Sequence, residues 1–152
     1  MLLQFMKLHK DVCLPVRKNP SDAGADVKWF SPDEPVLEIK PGESVKLKTG
    51  LKTHIPHGYA LIVMNRSGMA ADKVLKIGAS VVDAGFRGEL IINLHNDGLE
   101  TQRILHGERI AQLLLIPVVH FKTLECISEE ELYATPLYIS ERGTGGFGSS
   151  GA

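Results

Sequence analysis

Cysteine, aromatic rings, net charge and long apolar runs are all scarce in this chain. Its two cysteines, Cys13 and Cys126, lie far apart and form no C-x-x-C pair. That excludes a disulfide-rich scaffold or a thiolate zinc site and reads as reduced packing residues of an intracellular protein, a single disulfide being the alternative. Seventeen Lys and Arg against 18 Asp and Glu leave a formal net charge of -1. A general polyanion binder is thereby excluded: no nucleic-acid partner is expected, and phosphate recognition has to come from a few placed cations. Gln4 and Lys7 interrupt the opening apolar residues before signal-peptide length, and no run is long enough to span a bilayer. The expectation is a cytoplasmic protein (in the host cytoplasm if viral) without a membrane partner. The six histidines are scattered, and Pro56 between His54 and His57 argues against helical presentation of a zinc pair.

What is present is a soluble balance, 43% hydrophobic and 23% charged over 152 residues, enough for one domain with a core. Short apolar runs alternate with Pro and Gly punctuation. Val36-Leu37-Glu38-Ile39-Lys40 and Val45-Lys46-Leu47-Lys48 alternate with period two around Pro41-Gly42, which predicts a half-buried hairpin. Tyr59 to Met64, Glu89 to His95 and Ile110 to Val119 predict further strands, with a turn at Asn96-Asp97-Gly98. Helix is expected only for a turn or two after Arg66-Ser67-Gly68 and near Ser128, where Glu131 can complete a capping box. The fold class is all-β, a sandwich, jelly roll or barrel.

Polar residues interrupt this pattern in five places. Ala23-Gly24-Ala25-Asp26-Val27 sets a carboxylate beside a small-residue turn. Arg66-Ser67-Gly68 joins a cation, a hydroxyl and an open N–H, a set suited to a phosphate oxygen. Val81 to Glu89 reads as a hairpin carrying Asp83, Phe86 and Arg87 within five residues, and Gly107 to Gln112 ends on a strand amide. The fifth, Arg142-Gly143-Thr144-Gly145-Gly146-Phe147-Gly148-Ser149-Ser150-Gly151, satisfies G-x-G-x-x-G but is expected to open no helix, since the chain runs only to Ala152. No lysine follows for a Walker loop. The remaining reading is a lid: an arginine for a terminal phosphate, free backbone N–H groups, and a ring to lie on a base.

In order and spacing these five blocks resemble the five motifs of the trimeric deoxyuridine triphosphatase (dUTPase) family, from Leu14-Pro15 to Gly151. The resemblance implies a β-clip or distorted jelly roll over residues 1–140. It also implies a flexible glycine-rich C-terminal arm, residues 141–152, and a homotrimer whose active sites lie at subunit boundaries. The implied reaction is cleavage of dUTP to dUMP and pyrophosphate, with Mg²⁺ held mainly by the substrate's phosphates and by water.

Carried over residue by residue, Asp83 is the general base that activates water for attack on the α phosphorus. Arg66, Ser67, Gly68 and Gln112 bind the phosphate chain, and Arg142 meets the γ phosphate. Asp26 accepts hydrogen bonds from Mg²⁺-bound waters. Backbone groups of Gly78, Ala79, Ser80, Val81 and Val82 read uracil, Phe86 lies beneath the deoxyribose, and Phe147 stacks over the base. Four positions depart from the family pattern: Phe86 where tyrosine is usual, Gly85 where aspartate is usual, Ser80 where glycine is common, and Asn65 where proline is common.

The rival from the same fold is a dCTP deaminase, which Asp83-Ala84-Gly85-Phe86-Arg87-Gly88 also resembles. Deaminases carry a catalytic glutamate ten positions beyond that aspartate; here the residue is Asn93, and an amide cannot shuttle protons. A non-catalytic nucleotide sensor is the rival of another class. Asp83, Gln112, Arg142 and Phe147 together argue against it, since a sensor needs no base.

Overall fold

Short runs of β-branched and leucine residues, cut every few positions by Gly, Pro, Asn or Asp, fold into strands that each bury one face. The computed structural model describes residues 2–134, and in these the chain forms eleven strands and two short helices. The strands are β1 (Gln4–Lys7), β2 (Ala25–Lys28), β3 (Val36–Ile39), β4 (Ser44–Lys48), β5 (Leu51–His54), β6 (Tyr59–Met64), β7 (Leu75–Ile77), β8 (Val81–Val82), β9 (Ile91–Asn96), β10 (Gln102–Leu105) and β11 (Arg109–Pro117). The helices are α1 (Ser67–Ala71) and α2 (Glu129–Leu132). All pairings are antiparallel: a four-stranded sheet β2-β11-β6-β8, a three-stranded sheet β4-β9-β7, and the two-stranded ribbons β1-β5 and β3-β10. This is the all-β architecture expected, a β-clip or distorted jelly roll.

The described chain divides into two compact units, one running through His120 and one beginning at Phe121. In the first, alternate residues of every sheet meet in a single core. Ile92 and Leu94 of β9, Leu47 of β4, Leu61 of β6, Ile110 of β11 and Ile104 of β10 are all buried. Asn96 sits in that core at 0% exposure, with every polar atom matched. Its Nδ2 donates to the carbonyls of Ile39 and Glu100, each at 2.8 Å, and its Oδ1 accepts Gly98 N–H at 2.9 Å. The last of these bonds forms the Asn96-Asp97-Gly98 turn. In the second unit α2 has the expected cap, Ser128 Oγ accepting Glu131 N–H at 3.2 Å. The returning Glu131 carboxylate reaches the N–H of Ile127 rather than that of Ser128.

Both predicted hairpins are corrected. β3 and β4 flank Pro41-Gly42 but do not pair: β3 runs beside β10 and β4 beside β9. The turn is closed locally by Glu43 N–H to Lys40 O at 3.0 Å. Asn96 then binds both of its sides, accepting Gly42 N–H at 2.8 Å and donating its own N–H to Glu43 O at 3.0 Å, which steers β4 onto β9. Val81–Glu89 is likewise a crossing between sheets, β8 lying beside β6 while β9 lies between β4 and β7. Cys13 is exposed, so it is not the packing residue expected. Among the described residues no helix is long and apolar enough to cross a membrane.

Candidate active site

Two groups of the predicted residues are drawn together, on either side of the end of β6. The first lies on the outer face of β2 and β11. Alternation along β11 buries Ala111 and Leu113 and turns Gln112 outward, between Asp26 on β2 and Met64 on β6. The Asp26 side chain is 17% exposed and held on both oxygens: Arg66 Nε donates to Oδ1 at 2.9 Å and Arg109 Nη1 to Oδ2 at 3.1 Å. Arg66 Nη1 also donates to the carbonyl of Arg109 at 3.0 Å, so one carboxylate and two guanidinium groups tie the start of β11 to the β6–α1 junction. Gln112 Nε2 donates to the carbonyl of Asn65 at 2.7 Å. A side chain at position 24 would collide with Gln112 Oε1, so Gly24 is what lets this amide lie against the neighbouring turn. Arg66 is in extended conformation as the N-cap of α1, with Ser67 and Gly68 exposed beyond it.

The second group is a cleft of about 200 Å³ lined by Val63, Ala79, Val81, Val82, Asp83, Phe86, Glu89, Leu90 and Ile91. It unites the expected base and most of the base and sugar residues. Asp83 is exposed, and its carbonyl accepts Phe86 N–H at 3.0 Å, a tight turn that puts carboxylate and ring on one short loop. Ser80 joins the strip through its carbonyl, which accepts Val63 N–H at 2.7 Å. Arg66, Ser67 and Gln112 do not line this cleft.

The backbone of residues 77–79 is anchored from behind by two asparagines that the sequence reading gave no part in the site. Asn65 Oδ1 accepts Ile77 N–H at 2.7 Å. The Asn93 carbonyl accepts Gly78 N–H at 3.0 Å and its Oδ1 accepts Ala79 N–H at 3.3 Å, while its Nδ2 donates to Ser44 Oγ and Val45 O. Any Cβ at Gly78 would strike the side chains of Asn93 and His95, so only glycine permits the approach. The N–H groups of Gly78 and Ala79 and the carbonyl of Ser80 are thus engaged within the protein. Arg109, to which the sequence reading gave no role, joins this first group through its ion pair with Asp26, and its signal was its place three residues before Gln112 in the same block. Arg142 and Phe147 lie outside the described residues. No group of three or more His, Cys, Asp or Glu able to hold a metal ion occurs among the described residues.

The described residues thus present outward polar side chains at the ends of β2 and β11 and a carboxylate-bearing loop beside a cleft. Residues 10–151 match the dUTPase family model. The deoxyuridine 5'-triphosphate nucleotidohydrolase of Azotobacter vinelandii is 38% identical over 151 residues, covering 96% of this chain and 92% of that one. That of Pseudomonas putida is 36% identical with the same coverage. Among solved structures, the Staphylococcus bacteriophage 80alpha dUTPase with dUPNHPP superposes with a TM-score of 0.83 at 30% identity, 99% of each chain being covered. This chain belongs to the dUTPase family.

Proposed function

We propose that the protein hydrolyses dUTP to dUMP and pyrophosphate, with Asp83 as the general base. The observation that carries this reading is the cleft in which the Asp83 loop, the Phe86 ring and the strip from Ala79 to Val82 converge. A carboxylate there can orient a water and take its proton as the water attacks the α phosphorus, and pyrophosphate leaves as the P–O bond on the far side breaks. Such a base contributes roughly 10²–10⁴ in rate. Ser67, Gly68 and Gln112 hold phosphate oxygens by donated hydrogen bonds, and Arg66 offsets negative charge while remaining tied to Asp26.

The donor set fits Mg²⁺ carried in by the triphosphate. Both Asp26 oxygens already accept an arginine N–H, which favours a second hydrogen bond from a metal-bound water over direct ligation. When bound, the ion neutralises charge on the phosphate chain. Phe86 excludes a ribose 2′-hydroxyl by desolvating it against an apolar ring.

Because Arg66, Ser67 and Gln112 do not line the cleft of their own chain, the complete site is best supplied by more than one copy. A homotrimer with shared sites, acting in the cytoplasm, is the assembly we infer. Arg142 and Phe147 would close over a neighbouring site, gripping the γ phosphate and stacking on uracil. A chain ending before Arg142 is therefore expected to fold and assemble but turn over dUTP very slowly; full activity would remove the lid from the account. Asn93, bound to Ser44, Val45 and Ala79, has neither the proton chemistry nor the freedom for deamination.

The deciding experiment is Mg²⁺-dependent pyrophosphate release from dUTP, dCTP, dTTP and UTP, with products identified. Release from dUTP alone, lost in Asp83→Asn, supports the reading. Deaminated product from dCTP, or dUTP binding without turnover, would replace it with the deaminase or the sensor.

A further inference from the structure

Glu89 lines the cleft together with Asp83, and the proposed reaction gives it no part. It is half-buried, and its Oε1 accepts the N–H of Gly50 at 2.8 Å. Gly50 lies between β4 and β5 at φ +68°, where a side chain would also strike Val12 and Phe30, so the position requires glycine. Its carbonyl accepts Leu8 N–H at 2.8 Å, which ties the same turn to the chain just beyond β1. The Glu89 carboxylate is therefore bound to a point that the core holds from several sides.

What this contact holds is the loop that carries Asp83 and Phe86. Among the described residues, residues 83–88 are closed by a single backbone bond, Phe86 N–H to Asp83 O at 3.0 Å. The Phe86 ring lies back over Gly88, where any Cβ would run into it. Carboxylate, ring and glycine thus form one compact turn, and Glu89 is the next residue along. Leu90 is held separately: its N–H donates to Leu51 O at 2.7 Å and its carbonyl accepts Thr49 Oγ1 at 2.7 Å. Losing the Glu89 side chain should free the loop and leave β9 seated in the core. All of these groups belong to the chain whose cleft they form, so the arrangement is the same whichever copy supplies the phosphate-binding side chains.

We propose that Glu89 is a positioning residue: through Gly50 N–H it holds the 83–88 loop so that the Asp83 carboxylate and the Phe86 ring face the same bound nucleotide, and it takes no proton itself. The proposal rests on the dUTP reading above for its catalytic consequence and on the Gly50 hydrogen bond alone for its structural one. A hydrogen bond accepted by a carboxylate is among the stronger ones, and its loss corresponds to an effect of roughly tenfold or more.

The test compares wild type, Glu89→Ala and Glu89→Gln by two readouts. Glutamine keeps the length and an acceptor oxygen but cannot take a proton; alanine has neither. In turnover, Glu89→Ala is expected to lower kcat on dUTP roughly tenfold and to narrow the preference for dUTP over UTP, because base and ring are displaced together. Glu89→Gln should stay within about threefold of the wild type in both respects. In amide hydrogen exchange of the unliganded protein, Gly50 should exchange roughly tenfold faster in the alanine variant and recover in the glutamine one, with Ile92 and Leu94 in the core unchanged. Unaltered Gly50 exchange in Glu89→Ala, an unchanged ratio of dUTP to UTP turnover, or alanine and glutamine variants that behave alike would overturn the proposal. Any of these in a wild type that hydrolyses dUTP fells the proposal alone; a wild type that does not hydrolyse dUTP fells the functional reading and, with it, the catalytic consequence drawn here.

Discussion

The patch proposed to bind phosphate and the cleft proposed to bind the base are built by opposite means. In the patch, side chains from β2, β11 and the β6–α1 junction bind one another: Asp26 to Arg66 and Arg109, Gln112 to Asn65. In the cleft, the Asp83 carboxylate and the Phe86 ring are exposed on a short loop, and the neighbouring strip is fixed through its backbone by Asn65 and Asn93. The patch keeps its own charges paired, since unpaired guanidinium groups at a partly buried site are costly. The cleft leaves its carboxylate exposed, as the proposed role of Asp83 requires. Substitutions in the patch should therefore lower stability and activity together, whereas those in the cleft should act on chemistry or selectivity with the fold intact.

The sharpest break of this contrast is Asp83→Asn. Its kcat is expected to fall by roughly 10²–10⁴ with Tm unchanged, because the side chain belongs to an exposed loop; a large loss of Tm would mean the loop is structural. Asp26→Ala comes next. It leaves Arg66 and Arg109 without their shared carboxylate, and should cost on the order of 1–2 kcal/mol in denaturant unfolding together with at least a tenfold drop in kcat/KM. Loss of activity alone would erase the distinction between the regions. Phe86→Ala should leave stability within about 0.5 kcal/mol, the residue being 46% exposed, and narrow the ratio of dUTP to UTP turnover. Comparable efficiency of the unaltered protein on the two nucleotides would show that the ring face does not select the sugar.

The smallest effect is expected in the link joining the two regions. Val74, between α1 and β7, has φ +53°, a left-handed conformation that a β-branched side chain resists. Val74→Gly should relieve strain and raise stability by about 1 kcal/mol at most, with kcat unchanged; calorimetry against the wild type would measure it.

Much of this was legible in the sequence, for reasons that also explain the gaps. Tyr59–Met64 was placed to the residue, and the strands around Ile92 and Leu113 were found because their apolar runs are dense. β5, reading Leu51-Lys52-Thr53-His54, and β1, reading Gln4-Phe5-Met6-Lys7, mix polar and apolar residues and carry little strand signal; their pairing with each other makes them strands. The hairpins failed for a different reason: period two reports which face of a strand is buried, not which strand lies beside it. Asp83, Gln112 and Phe86 were singled out by the order and spacing of the polar blocks and their resemblance to the dUTPase motifs, and the structure places Asp83 and Phe86 at the cleft and Gln112 on β11. Asn65 and Asn93 were not read as supports, because an asparagine's partner here is a backbone N–H brought near by sheet packing.

The pairing of β2 with β11 sets residue 26 opposite residue 112, and β1, β3 and β4 likewise find partners far along the chain. Contacts of that sequence separation close large loops and are slow to form, so the folding rate of this chain is governed by topology more than by local propensity. No single stretch can preorganise Asp26 against Gln112. The patch of Asp26, Arg66, Arg109 and Gln112 therefore comes into being only when distant segments have met, and a chain emerging during synthesis lacks it until β11 is in place.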